Sequence, residues 1–320
     1  MKKSFLMLLA LVALVWAGCE RPEGDLLPGQ PLEKVDSVWT LTVKAVMDGG
    51  AATKGLTIGE GDAEATTTVL QSIWKDWQKV QVYLDGTKIG ELDVTPDAAD
   101  AHHATLTGEV TSTDITAGST KLTLLATERD SWDYTGQTGS LLLDDDADNS
   151  IEKKYHYTLA KDVLVNGLAS GSGGGKGILI TDNVCFSNQQ SIYRLSFRFQ
   201  KGGTGDKTAI ATQRVTIASA GGHLVQSRNL AGSATLEGPI SVVLGTATSD
   251  PFFVALRNEN TTDAEALNFK VVGNDGVTYL GSKTIPAEYK SNGNFVSLKN
   301  ATLTERMKLE TLSGTVSTAL

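Results

Sequence analysis

The stretch SVWTLTVKAV, residues 37–46, alternates apolar and polar side chains along its whole length. Trp39, Leu41, Val43 and Ala45 share one face of an extended chain, because successive side chains of a β-strand point to opposite sides. A helix would spread the same residues around its axis. The segment therefore predicts a strand with one buried face, and the same pattern continues through the rest of the chain.

Period-two alternation recurs as far as the C-terminal region, and helical periodicity is nearly absent. The segments KVQVYLDGTKIGEL (79–92) and LNFKVVGNDGVTYLG (267–281) each place an Asp-Gly pair between alternating runs, which is typical of a hairpin turn. YRLSFRF (193–199) has aromatic and aliphatic side chains on one face and two arginines on the other. Many short strands at regular spacing predict an all-β protein of antiparallel sandwiches.

The beginning of the chain has the pattern of an export signal. Two lysines open it, an almost wholly apolar run extends to Trp16, and small residues follow. The run is shorter than the roughly 20 apolar residues that a transmembrane helix needs. We therefore predict a signal peptide over residues 1–18 and an exported protein.

The segment VWAGC, residues 15–19, is similar to the lipobox of bacterial lipoproteins, in which the cysteine thiol carries the lipid. Its departure is Trp16, which stands where leucine is usual. Several acyl chains hold a protein on a membrane almost permanently, since each buried CH₂ contributes about 0.8 kcal/mol. We predict that Cys19 is lipidated and that residues 19–36 tether the first strand to outer-membrane lipid. Plain secretion and a structural Cys19 are the alternatives.

Charge and cysteine content narrow the possible functions. The net charge of −9 argues against nucleic acid as a partner, because its phosphates require basic patches. Once Cys19 is lipidated, Cys185 has no disulfide partner. We expect Cys185 to be a small buried hydrophobic residue.

The segment NGLASGSGGGKG, residues 166–177, is the predicted boundary between two domains, because a mature chain of about 300 residues suggests two. Glycine and serine bury little apolar area and leave the backbone free, so we expect a flexible linker or a long loop. A phosphate-binding loop would need glycine at Ser170 and a hydroxyl residue at Gly177. The predicted divisions are a sandwich over 37–165, the linker, a sandwich over 178–305 and a tail over 306–320.

The acidic loop DDDADNSIE offers oxygen ligands at Asp144, Asp146 and Asp148, with the spacing that opens a calcium loop. The expected glycine is replaced by Asn149, and the expected bidentate glutamate by Tyr155. A solvated acidic loop is the simpler interpretation, and weak calcium binding is the alternative.

The four histidines predict no metal or acid–base site. His102 and His103 are adjacent, so in a strand they point to opposite faces, and His156 and His223 stand alone in the sequence. No arrangement of serine, histidine and aspartate can be assembled from the sequence. We therefore expect no cofactor and no enzymatic activity.

The segment RDSWDYTGQTGSL, residues 129–141, resembles the fimbrillin family, the pilus subunits and related surface lipoproteins of Bacteroidales. Further segments that resemble the family follow its order along the chain: ATKGLTI (52–58), WQKVQVYLDGTKIGEL (77–92), CFSNQQSIYRLSFRF (185–199), FFVALRN (252–258) and YLGSKT (279–284).

The resemblance implies two transthyretin-like β-sandwich domains in tandem, and it implies assembly by strand exchange. In that scheme a protease cuts the loop after the first strand, here the candidate Val38–Val46, and this strand leaves. The C-terminal segment of another subunit then fills the groove. Family members cut by an arginine-specific protease carry arginine in this loop, whereas MDGGAATKGL has only Lys54, so we predict trypsin-like cleavage there.

The tail is the candidate donor strand, although a short helix is the alternative for its beginning. Its apolar residues fall into two phases of a strand. The candidate donor residues are Met307 and Leu309 in one phase and Leu312, Val316 and Leu320 in the other.

These features favour a structural subunit of a cell-surface fimbria that supports cell adhesion, with other fimbrial subunits as partners. The alternative is a surface lipoprotein that binds glycan or protein and stays monomeric. For that alternative Trp74, Trp77 and Trp132 are candidates for stacking on sugars, whereas we expect Trp39 in the core. A hydrolase on the same sandwich rests on no observed feature.

Overall fold

The computed structural model describes residues 37–47, 66–69, 72–127, 131–139, 150–170, 175–229, 235–259, 262–287 and 292–307. Several predicted site residues lie outside these ranges: Cys19, Lys54, Asp144, Asp146, Asp148, Leu309, Leu312, Val316 and Leu320. Nearly all described elements are strands, so the all-β prediction is confirmed. The transthyretin-like tandem stays a prediction. The described part of the chain has no helix with the length and hydropathy of a membrane span.

The N-terminal half forms β1 (Ser37–Met47), β2 (Thr66–Val69), β3 (Lys79–Leu84), β4 (Thr87–Pro96), β5 (His103–Ser112), β6 (Lys121–Ala126), β7 (Ser131–Asp133), the helix α1 (Ile151–Tyr155), β8 (Thr158–Leu164), β9 (Gly167–Ser170), β10 (Lys176–Leu179) and β11 (Val184–Asn188). The C-terminal half forms β12 (Ser191–Phe199), β13 (Thr208–Ala209), β14 (Thr212–Ser219), β15 (Val225–Asn229), β16 (Thr235–Glu237), β17 (Ile240–Thr248), β18 (Phe252–Leu256), β19 (Glu265–Gly273), β20 (Thr278–Ile285), β21 (Asn294–Leu303) and β22 (Glu305–Met307).

Nine strands of the N-terminal half form one sheet in the order β11-β8-β6-β3-β4-β5-β1-β10-β9. An additional pairing between β1 and β11 closes seven of these strands into a ring. The interior of the ring is filled by one side of each strand, as the alternating pattern predicts. The fully buried residues of this interior include Leu41, Val80, Val82, Leu92, Leu106, Val110, Leu122, Leu124 and Phe186.

Both predicted Asp-Gly turns are present. Asp85 and Gly86 join β3 to β4 with φ angles of 48° and 80°, the left-handed conformation that a two-residue hairpin requires at both positions. Gly276 lies between β19 and β20 with φ at 72°. Because glycine adopts positive φ without strain, these turns fix the register of their strands.

The C-terminal half contains two five-stranded sheets around a second apolar cluster. One has the order β13-β12-β21-β2, with β18 also paired to β12, and the other has the order β17-β14-β19-β20-β22. The predicted apolar face of β12 is confirmed, since Tyr193, Leu195 and Phe197 are buried. β2 pairs with β21 and so belongs to the sheet of β12 and β21, although it directly follows β1 in the chain.

The segment 131–137 joins the two halves. β7 pairs with β15 of the C-terminal half. The Gln137 amide nitrogen donates to the backbone oxygen of Ala255 at 2.7 Å, and its amide oxygen accepts from the Ala255 nitrogen at 2.8 Å. This buried side chain therefore occupies the edge of β18 as a neighbouring strand would. The fully buried Trp132 lies beside the guanidinium groups of Arg257 and Arg228, at 4.7 Å and 5.3 Å from its ring centre.

The structure differs from two expectations. The segment 166–177, expected to be a flexible linker or a long loop, contains β9 and the beginning of β10, which pair with each other. Gly167 and Gly177 pair through their backbone, and the open edge of β1 gives β10 a partner. Cys185, expected to be buried, is exposed on β11, because Val184 and Phe186 on either side of it take the inward positions.

We predict that Gln137→Leu lowers the free energy of unfolding by about 2–4 kcal/mol, because it leaves the buried N–H and C=O of Ala255 without their partner. Urea denaturation measures the change. Gln213→Leu, at an exposed position of β14, is the control and should stay within about 0.5 kcal/mol of the parent. An equal effect of the two substitutions would contradict the capping role of Gln137.

Candidate functional site

The candidate site is the β1 slot, which we define as the position between β5 on one side and β10 with β11 on the other. β1 pairs antiparallel with β5 from Ser37 to Val46. Its other edge pairs parallel with β10 over residues 39–42 and with β11 over residues 45–47. Main-chain hydrogen bonds therefore hold β1 along both edges.

The inner face of β1 is part of the core of the ring. Leu41, Val43, Ala45 and Met47 are each at most 3% exposed. Burial of the three larger side chains contributes on the order of 5–9 kcal/mol before the cost of ordering the strand. The outer face carries Thr40, Thr42 and Lys44, with Val38 and Val46 towards its ends. An occupant of the β1 slot must therefore supply an alternating strand with small and medium apolar side chains on one face.

The beginning of β1 is fixed by polar contacts to both neighbouring strands. The indole nitrogen of Trp39 donates to the backbone oxygen of Ser112 at 3.2 Å. From β10, the Lys176 Nζ lies 5.2 Å from the centre of the Trp39 ring and donates to the Ser37 hydroxyl oxygen at 2.6 Å. Trp39 packs against the core of the ring and remains partly exposed, so it marks the entrance of the slot.

Between β1 and β2, the chain passes from the nine-stranded sheet to the sheet that contains β21. Lys54, the predicted cleavage position, lies in the intervening residues 48–65, outside the described residues. β2 is held by its own antiparallel pairing with β21, at Thr66–Val69. A cut between the two strands would therefore free the C-terminal end of β1 and leave β2 in place.

Of the predicted donor residues, Met307 alone lies within the described residues. It is in β22, opposite Thr278 of β20, and is 55% exposed. β22 therefore brings the chain to the edge of a C-terminal sheet, and the other four donor candidates follow it in sequence.

Two of the tryptophans proposed to stack on sugars are inaccessible. Trp74 is 1% exposed and packs edge-on against Phe186, with ring centres 5.0 Å apart. Trp132 is fully buried. Trp77 is half-buried, with the Lys153 ammonium 5.6 Å from its ring centre. Their polar sequence surroundings gave no sign of this burial, which comes from distant segments.

The structure brings together a serine, a histidine and an asparagine that the sequence analysis missed. The Ser72 hydroxyl lies 3.1 Å from the Nε2 of His156 and donates to the Asn188 side-chain oxygen at 3.1 Å. His156 Nε2 lies 2.9 Å from the same oxygen. Since that oxygen can only accept, Nε2 must carry the proton and donate it.

This geometry is unsuited to nucleophilic catalysis. A protonated Nε2 cannot take the Ser72 proton, and Ser72 is fully buried. Burial lowers the pKa of His156 to about 4, which keeps the ring neutral. The three side chains instead connect the segment after β2, the end of α1 and β11, so their evident role is structural.

The other histidines and the acidic residues form no recognisable metal centre in the described ranges. His102 is buried, and His103, the first residue of β5, is exposed. Among the described residues no group of three or more His, Cys, Asp or Glu side chains could hold a metal ion.

The chain matches no protein-family model and no curated protein. Three solved structures with weak similarity are each described as a "putative cell adhesion protein". One, from Parabacteroides distasonis, is 12% identical with a TM-score of 0.32, over 82% of this chain and 84% of its own. One from Bacteroides fragilis is 8% identical with a TM-score of 0.32, over 86% and 100%. One from Bacteroides uniformis is 12% identical with a TM-score of 0.34, over 84% and 98%. Scores this low establish no shared fold with this chain.

We predict that His156 makes folding sensitive to mild acid. Its pKa falls from 6.5 in the unfolded chain to about 4 in the folded one, so the unfolded chain binds the extra proton. The contribution of His156 to the free energy of unfolding is complete above pH 6.5. About 3 kcal/mol of it is lost as the pH falls towards 4. Urea denaturation at pH 7 and pH 4 measures it.

The variant His156→Gln should lose that part of the pH dependence, even though its stability at pH 7 is also lower. His103→Gln, at an exposed position, is the control and should keep the parent's dependence. A parent and a His156→Gln protein with the same change between the two pH values would contradict the prediction.

Proposed function

We propose that this chain is a structural subunit of a cell-surface fimbria that is assembled by proteolysis-triggered strand exchange and supports cell adhesion. The observation that carries the proposal is the position of β1. It is the first described strand, it completes the ring through both of its edges, and it is joined to the remaining strands at one end.

We propose the following steps of assembly. The chain is exported and anchored in the outer membrane through lipid on Cys19. A trypsin-like protease cuts after Lys54, which separates β1 from β2. β1 then leaves, and the slot presents apolar side chains and unpaired backbone groups that accept an incoming strand.

Cleavage is needed because β1 competes from within its own chain. A tethered strand has an effective concentration in the millimolar range or above, which a separate subunit at lower concentration cannot match. Once the connection is cut, a released β1 is diluted, and strands from neighbouring subunits compete on equal terms. The protease therefore determines when polymerisation starts.

The C-terminal tail has the length and pattern for this slot. Residues 308–320 follow β22, and β1 itself has 11 residues. Leu312, Val316 and Leu320 are in one phase, with Gly314 between the first two and Thr318 between the last two. That phase would place three apolar side chains on the inner face of the slot. We propose that the donor strand begins after Met307, which is held in β22.

The monomeric, glycan-binding alternative has lost most of its support. Of the three tryptophans that motivated it, Trp74 and Trp132 are buried and cannot contact a sugar. Trp77 is half-buried, and its ring lies under Lys153. Strand exchange therefore remains the function that the geometry supports best.

We predict that deletion of residues 308–320 abolishes polymerisation and leaves the monomer folded. The deletion removes the proposed donor and keeps β22. The purified protein is cut with trypsin and incubated, and ladders that resist mild detergent are sought on gels. The parent should form ladders, and the truncated protein should not.

Two controls accompany that experiment. Lys54→Gln removes the proposed cleavage position and should prevent ladders in a protein with an intact tail. Urea denaturation of the truncated protein should give the stability of the parent. Normal ladders from the truncated protein would exclude the tail as donor.

We predict that Val46→Cys blocks assembly reversibly. Val46 of β1 lies opposite the exposed Cys185 of β11. Neighbouring strands are about 4.8 Å apart, within the range of Cα separations that a disulfide spans. After oxidation the cut protein should keep β1 and form no ladders, and reduction should restore them.

Lys44→Cys is the matched control for the disulfide. It lies on the outer face of the same strand, opposite Thr105, where no cysteine faces it. After oxidation it should assemble like the parent. Ladders from oxidised Val46→Cys protein, with the disulfide verified by mass, would show that β1 need not leave.

A further inference from the structure

We propose that the strands β9 (Gly167–Ser170) and β10 (Lys176–Leu179), called the hairpin below, are a latch over the β1 slot: they are held to the sheet through β1 and open when β1 leaves. The mechanical coupling is a property of the folded monomer. Its use in assembly rests on the function proposed above.

The pairing of the sheet is the first observation. β9 pairs with β10, and β10 pairs on its other side with β1 over residues 39–42. In the described part of the chain these are the only ladders of the hairpin. Among the described strands, β1 is therefore the sole one that pairs the hairpin with the ring.

The burial of the hairpin gives the second observation. Ile178 is 3% exposed and lies opposite Leu41, so it packs into the core beside β1. The remaining large apolar side chains, Leu168 and Leu179, are 39% and 50% exposed. With one buried large side chain, the hairpin has little apolar packing to hold it in place without β1.

The contacts of Lys176 give the third observation, because they join the hairpin to the beginning of β1. Its ammonium lies over the Trp39 ring and donates to the Ser37 hydroxyl, as described above. Both partners are on β1. Removal of β1 would therefore take away the side-chain contacts of Lys176 together with the backbone ladder.

The two ends of the hairpin are placed to act as fixed supports. Before it, Val165 is fully buried and its nitrogen donates to the Thr120 oxygen at 2.9 Å. After it, β11 pairs with β8 at Ser187 and Asn188, and Phe186 packs edge-on against Trp74. These particular attachments do not involve β1, although residues 184–186 of β11 also pair with β1. The parallel side of the slot therefore has a stationary part, β11, and a movable part, β10.

This division predicts an order of events. An arriving strand would pair first with β5 and β11, which stay in place, and the hairpin would then close over its other end. In the reverse direction, the hairpin opens as residues 39–42 of β1 leave it. The latch therefore slows both release and exchange of whichever strand occupies the slot.

Hydrogen exchange of the full-length, uncut Val46→Cys protein tests the coupling directly. The disulfide to Cys185 ties β1 to β11, outside the residues 39–42 that contact the hairpin. If the hairpin opens together with β1, oxidation should slow the amide exchange of residues 176–179 about tenfold or more. Reduction should restore the parent's rate. Unchanged hairpin exchange while the amides of β1 slow would overturn the proposal.

A second variant tests the latch without a disulfide. Lys176→Ala should speed exchange about fivefold in both the hairpin and residues 37–42 of β1, since it removes the cation–π contact and the hydrogen bond. Lys161→Ala, at an exposed position of β8, is the control and should change neither. Faster exchange in the hairpin alone would show that the hairpin does not restrain β1, and would overturn the proposal.

These measurements are made on monomers, so they separate two failures. A protein that forms no ladders but shows coupled exchange contradicts the fimbrial function and retains the latch. A protein that forms ladders but shows independent exchange contradicts the latch and retains the function.

Discussion

The pairing of β1 along both of its edges is the constraint on which the N-terminal half depends. β5 holds one edge antiparallel, and β10 and β11 share the other edge in parallel. Without β1 the ring loses its closing contact, and the side chains that face Leu41 and Val43 meet solvent. β1 therefore closes the ring, and it is also the element nearest to the beginning of the described chain.

The features that could be predicted are those that local chemistry determines. Period-two alternation assigned the buried face of residues 37–46, because the side-chain direction of a strand depends only on position along it. The Asp-Gly turns followed from the need for positive φ in a short hairpin. The apolar face of β12 followed in the same way. Each of these signals lies within about ten residues of sequence.

The features that could not be predicted depend on partners far away in the chain. Gln137 binds the backbone of Ala255, which is 118 positions away in sequence. Ser72 donates a hydrogen bond to Asn188, which is 116 positions away. Trp132 has polar neighbours in sequence, yet distant segments bury it. The parallel pairing of β1 with β10 and β11 is of the same kind, and it defines the candidate site. Alternation predicted the strand and its buried face, but not its neighbours.

The segment 166–177 depends on both kinds of feature, since its composition is a local signal and its partner strand, β1, is distant in sequence. Its glycine and serine content suggested a linker, because such residues bury little apolar area. The structure places β9 and part of β10 in this segment, but the composition still applies: the hairpin has few side chains with which to hold itself in place. Its order is supplied by β1 through backbone pairing. The property that made the segment resemble a linker is thus the reason that its strands depend on the occupant of the slot, and a more apolar hairpin would remain closed whether or not β1 was present.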